Sequence, residues 1–172
     1  MRLGWRWSRP NDFTSPDHRP LRDTFGHLQH TLTWPHFRIE RAADQVVASG
    51  ATYTVVWDTQ VEDPWNLWRS GSSVQVPHDW NEWWFVGVAG VHCDLLSGAS
   101  RRVLGIYVNG VIDPGGAQAT YPNSVNGGLR ANTSIQVPLK KTDTLAVRYT
   151  NNAAADDALT HATFSGYFLP RV

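Results

Sequence analysis

From Phe37 onward the chain is a succession of short β-prone runs cut by Gly, Pro and Asn, with no sustained helical period anywhere. FRIERAADQVV opens with alternation, and ATYTVVWDTQ (Ala51 to Gln60) is rich in β-branched and aromatic residues. SSVQVPHD, EWWFVGVAGVHCDLL, RRVLGIYVNGVID, TSIQVPL, TLAVRYT and ATFSGYFL follow at short intervals. Successive side chains on a pleated backbone point to opposite faces, so such runs read as strands. Asn109-Gly110 marks a two-residue hairpin, because both turn residues need positive φ. Eight or so strands without an amphipathic helix predict an all-β sandwich or barrel.

The closing run HATFSGYFLPRV sharpens that expectation. Phe164, Gly166 and Phe168 share one face of the strand, and Ser165, Tyr167 and Leu169 share the other. Neither face is clearly wet, which predicts a strand with protein on both sides.

Length and charge bound the rest. At 172 residues the chain has room for one domain with a substantial core. A formal net charge of zero argues against finding nucleic acid or an anionic membrane by bulk electrostatics. No apolar run approaches the ~18 residues a membrane helix needs. MRLGWRWSRPNDF has no apolar core for a signal peptide, so export by the usual route is not expected. Cys93 is the single cysteine, which leaves no internal disulfide and no cysteine-based zinc site; its apolar run predicts a small buried hydrophobe.

Residues 1–36 differ in kind. Four prolines stand among arginines, aspartates and His18, His27, His30 and His36, without a helix or strand period. Such a segment cannot bury enough apolar surface alone to offset its ordering entropy. It reads as an N-terminal docking arm, followed by a folded domain at 37–172. Trp5, Trp7 and Trp34 would suit anchoring on sibling chains or a larger assembly, because a buried indole brings a large contact area. Folding back onto their own domain is the competing reading for the same three residues.

The order of the strands resembles the C1q/TNF-like jelly roll, in particular the compact C1q-like domains of tailed-bacteriophage virion proteins. VVWDTQVEDPWNLW is similar to the family's early strand and loop, and SVQVPHDWNEWWFVGVAGV to the stretch leading into its long central strand. RRVLGIYVNG resembles the strand ending in Asn-Gly, LKKTDTLAVRYTN the approach to the penultimate strand, and ATFSGYFL the terminal F-S-G-x-L strand. Thr142 stands where the family has Gly before the aspartate, and Trp83, Trp84 and Phe85 replace a Gly-x-Tyr pattern. There is no collagen repeat, which disfavours an animal complement-type protein. The resemblance implies a jelly-roll sandwich whose last strand runs mid-sheet, on the core and near a trimer axis. Phe85, Tyr149, Phe164, Tyr167 and Phe168 are then the expected trimer and core positions. It implies a homotrimer in a virion, docked through residues 1–36 on other virion proteins as a capsid decoration or minor tail protein.

Motifs for chemistry are scarce. No nucleophile elbow, phosphate-cradling loop or His-Glu-x-x-His pattern is present, and Ser97 and Ser100 have no motif around them. The glutamates are Glu40, Glu62 and Glu82 only. Asp58 and Asp63 flank a turn and read as turn caps. The chain is therefore read as non-enzymatic, with no cofactor and no metal. His27, His30 and His36 read as surface residues. Asp156 and Asp157 read as part of a solvated loop, although some C1q-like proteins bind Ca²⁺ in apical loops. All nine tryptophans lie at or before Trp84. For Trp57 and Trp84 the expectation is core packing. Trp65 and Trp68, in a Pro/Asn loop, read equally as local packing or as an interface or ligand loop. A carbohydrate- or receptor-binding module at a tail or fibre tip, touching a host surface glycan, is thus the alternative function.

Overall fold

The structure, a computed structural model, describes residues 34–77, 81–95, 101–120 and 128–170. Eleven strands carry these residues: β1 (His36–Arg41), β2 (Gln45–Val47), β3 (Thr52–Thr54), β4 (Thr59–Glu62), β5 (Ser73–Gln75), β6 (Glu82–Leu95), β7 (Arg102–Val108), β8 (Val111–Thr120), β9 (Leu129–Lys140), β10 (Thr144–Asn151) and β11 (Asp157–Pro170). They form two antiparallel sheets. One runs β4-β1-β11-β6-β9, with β2 also on β11; the other runs β3-β10-β7-β8, with β5 on β10. Pro35–Val172 forms one compact unit.

Alternation in sequence becomes alternation in burial. Along β10, Leu145, Val147, Tyr149 and Asn151 are buried while their neighbours are only partly covered. An aromatic cluster fills the centre: the Phe85 ring lies 5.0 Å from Phe168, and Phe37 meets Phe164 edge-on at 4.9 Å. Trp57 stacks on Phe164 at 6.0 Å, and Trp83 meets Phe168 edge-on at 6.2 Å. Such pairs add to the burial of large apolar area.

Turn chemistry sets the connections. Asn109 and Gly110 both take positive φ, 50° and 80°, and close the β7-β8 hairpin as the dipeptide predicts. The Asn109 side chain then docks this turn on another: its Nδ2 donates to Asp143 Oδ1 at 2.7 Å, and Thr144 N donates to its Oδ1 at 3.0 Å. Asp143 also accepts from Lys140 N at 2.7 Å, so it caps the turn into β10 even with Thr142 before it. The turn-cap reading of Asp58 and Asp63 holds. Asp63 accepts from Leu67 N and Trp68 N, and Asp58 from Ala42 N and Ala43 N. Slight burial of the Asp58 carboxyl pushes its pKa up, but the hydrogen bonds from Ala42, Ala43 and Thr59 outweigh it and hold it below its usual range.

One strand expectation needs correction. ATYTVVWDTQ is not one strand: β3 belongs to the five-stranded sheet and β4 to the six-stranded one. Between them the backbone changes partners, with Val55 N donating to Val147 O and Asp58 N to Glu40 O. Val55 and Trp57 stay buried through the crossing, so the period is unbroken while the sheet changes. On β11, among the described residues, the core layer covers one face. Phe164 and Phe168 are fully buried, whereas Tyr167 is 43% exposed, and Ser165 and Leu169 are half-buried on its outer face.

Candidate functional site

Two places gather side chains that packing alone does not explain. The first is a buried polar network between the sheets. Arg102 on β7 grips Asp157 on β11 through two hydrogen bonds, Nε to Oδ2 at 3.1 Å and Nη2 to Oδ1 at 3.0 Å, and both residues are fully buried. The Tyr149 hydroxyl, on β10, donates to Asp157 Oδ2 at 2.9 Å. Burial pushes the Cys93 thiol on β6 up to about 12, against the opposing effect of its hydrogen bond with Tyr149. The Tyr149 hydroxyl is raised well above its usual range by the same burial, with Cys93 and Asp157 adding to it.

The solvated-loop reading holds for Asp156, which is exposed, and this network corrects it for Asp157, which is fully buried. Both Asp157 oxygens are engaged by Arg102 and Tyr149, and Asp156 accepts from Ser49 N at 2.9 Å. No group of three or more His, Cys, Asp or Glu side chains suited to a metal occurs among the described residues. Cys93 is buried, as its apolar run predicts. It should be inert in the native state, since the thiolate is the reacting form. At pH 8 its alkylation by iodoacetamide is expected to run roughly a thousandfold slower than that of an exposed thiol. Mass spectrometry before and after urea unfolding checks this, and rapid labelling of the folded chain would contradict it.

The second place is the outer face of the six-stranded sheet. Register puts its outward residues in rows across β11, β6 and β9: Leu169, Trp84 and Pro138; Tyr167, Val86 and Gln136; Ser165, Val88 and Ser134; Thr163, Gly90 and Asn132; His161, His92 and Arg130. One end is therefore apolar and the other polar. Val88 is 46% and Tyr167 43% exposed, in mid-sheet rather than at an edge. Among the described residues no second layer covers this end of the face, which makes it the candidate interaction surface.

The residues singled out from sequence distribute as follows. Phe85, Tyr149, Phe164 and Phe168 are 0% exposed in the single chain, so they are core and not contact surface; Tyr167 alone of that set faces outward. Trp68 is buried, its Nε1 donating to Gly71 O, and Trp65 packs partly buried on the same core. Local packing is therefore the outcome for this loop, and two open indoles side by side do not occur there. Trp57 is core as expected; Trp84 is half-buried on the outer face, while its neighbour Trp83 is buried with Nε1 donating to Pro77 O. Trp34 is 43% exposed, and His36 lies 3.0 Å from Glu62. Trp5, Trp7, His27 and His30 lie outside the described residues. The Arg102 pairing was missed in sequence, because it has no local motif.

Comparison with protein families returned no match, and neither did comparison with curated proteins. Solved structures do match. The globular domain of zebrafish complement 1qA protein superposes with a TM-score of 0.51 at 16% identity, over 80% of this chain and 99% of that one. Eiger TNF from S. frugiperda gives 0.45 at 17% identity, covering 80% and 96%. The CBM22-1 xylan-binding domain from Paenibacillus barcinonensis Xyn10C gives 0.34 at 13%, covering 80% and 94%. At these identities the likeness speaks to fold alone. Two antiparallel sheets with β11 in mid-sheet, superposing on the complement domain, make this chain an all-β sandwich with the C1q/TNF-like jelly-roll fold.

Proposed function

We propose that the chain is a non-enzymatic structural component of a tailed-phage virion, a homotrimer docked through its N-terminal arm on the capsid or the tail. The observation that carries this reading is the apolar end of the outer sheet face, where Val86, Val88, Tyr167 and Leu169 lie together without a second layer among the described residues. Burying that face against two further copies would stabilise each head by mass action. The resemblance of its strand order to compact C1q-like phage domains supports the virion setting. Three arms on one trimer would dock with avidity, each raising the effective concentration of the others. The carboxylates of Asp58, Asp63, Asp143 and Asp157 are spent on turns and on the buried network, which favours a structural over a catalytic role.

Light scattering of the full chain should give a trimer. Val88→Asp with Tyr167→Asp should give a folded monomer, since an interface with buried unpaired charge cannot close. A wild-type monomer would end the reading. With the trimer in hand, removal of residues 1–34 should abolish binding to assembled capsids or tails without changing the mass of the trimer.

A further inference from the structure

The polar end of the same face holds a cavity of about 350 Å³, lined by Gly90, His92, Arg130, Asn132, His161 and Thr163 besides Val91. We infer that this cavity binds a phosphate or sulfate group carried on a compact sugar. Its size is at the lower end of small-molecule sites, roughly 300–1,000 Å³, enough for a monoester and short of a larger ligand.

The charge arrangement selects an anion. Arg130 is exposed and has no ion-pair partner among the described residues, so a guanidinium fork is open to planar or tetrahedral oxyanions. His92 sits directly across β6-β9 from Arg130 and across β6-β11 from His161. Two imidazoles thus stand beside one permanent cation. Among the described residues no carboxylate lines the cavity; Glu40 stands behind His161, its Oε2 3.8 Å from the ring and its Oε1 held by Arg38 at 2.8 Å. Asp94 is exposed two residues along β6 and is not part of the lining.

The floor is shaped to stay open. A Cβ on Gly90 would fall 2.6 Å from Asn132 Oδ1 and 3.2 Å from Thr163 Oγ1, in the space between the amide and the hydroxyl. A Cβ on Gly128 would collide with His92 Nε2, so glycine there leaves the ring its place. The His92 ring is steadied from behind, its Nδ1 lying 3.3 Å from the Thr160 hydroxyl at the β11 bulge. Asn132 and Thr163 then supply the amide and hydroxyl that match sugar hydroxyls.

This site uses none of the apolar residues of the proposed interface, so the two readings fail separately. Calorimetric titration of the full chain, at constant ionic strength, would compare inorganic phosphate, glucose 6-phosphate, N-acetylglucosamine 6-sulfate and glucose. Expected is binding of the two esters, no binding of glucose, and about a tenfold loss of affinity in Arg130→Gln with unchanged mass and unfolding midpoint. Gly90→Ala should weaken the esters by filling the floor. Esters binding about tenfold more tightly than free phosphate places the group on a sugar; equal affinities keep the oxyanion site but make the free ion its ligand. No heat with any anion, or an Arg130→Gln chain that binds the esters as before, overturns the inference.

Discussion

Asp157→Ala is expected to destabilise the fold by about 3–5 kcal/mol, the largest single loss available outside the aromatic core. The change leaves the Arg102 guanidinium fully buried without its two-point partner, and takes the acceptor from the Tyr149 hydroxyl. The cost is that of taking the carboxylate from a buried cation, not the net worth of the pair, which is far smaller. That distinction is measurable. Replacing the group with apolar residues of similar volume, Arg102→Met with Tyr149→Phe and Asp157→Leu, should recover most of the loss. Urea midpoints of the two variants decide it. A loss below about 1 kcal/mol in Asp157→Ala would mean that water or other protein groups satisfy the guanidinium.

Gly166→Ala is expected to cost about 1–3 kcal/mol or more, although alanine in a strand normally gains over glycine. The Phe85 ring lies over both Gly166 and Gly87: a Cβ on Gly166 would come within 2.6 Å of its Cζ and 2.9 Å of Val86 O. Phe85 cannot retreat, because Phe168, Phe37 and Phe164 surround it with centroids at 5.0, 6.1 and 6.1 Å. Overpacking therefore outweighs propensity. Phe85→Leu alone should also destabilise by making a void, yet the double variant should lose less than the sum of the two, since the smaller side chain admits the methyl. Additive losses would show that the ring and the glycine do not share the space.

The glycine of the F-S-G-x-L run shows how far sequence reading goes. Its place in a strand was legible, but its reason was not, because Phe85 lies 81 positions away and meets it only through the β6-β11 register. Asp157 shows the opposite failure. Beside Asp156 in NNAAADDALTH it has the company of a loop residue, and its burial between β2 and β6, with Arg102 approaching from the other sheet, is a matter of register. Trp65 and Trp68 read equally as local packing or as contact residues because they stand in a Pro/Asn loop. Asp63 turns that loop inward by holding Leu67 N and Trp68 N, and the indoles follow the backbone.

What the sequence by itself determined was local: strands from period-two alternation, the β7-β8 hairpin from Asn109-Gly110, turn caps from Asp58 and Asp63, and a buried thiol from its apolar run. These depend on interactions within a few residues, which spacing and residue type already encode. Only the tertiary structure decided which face of β11 is covered, where ATYTVVWDTQ changes sheets, what neutralises Asp157, and that His92, Arg130 and His161 share a row. Each of those depends on strand register between distant segments, and register is set by how both sheets close over one core.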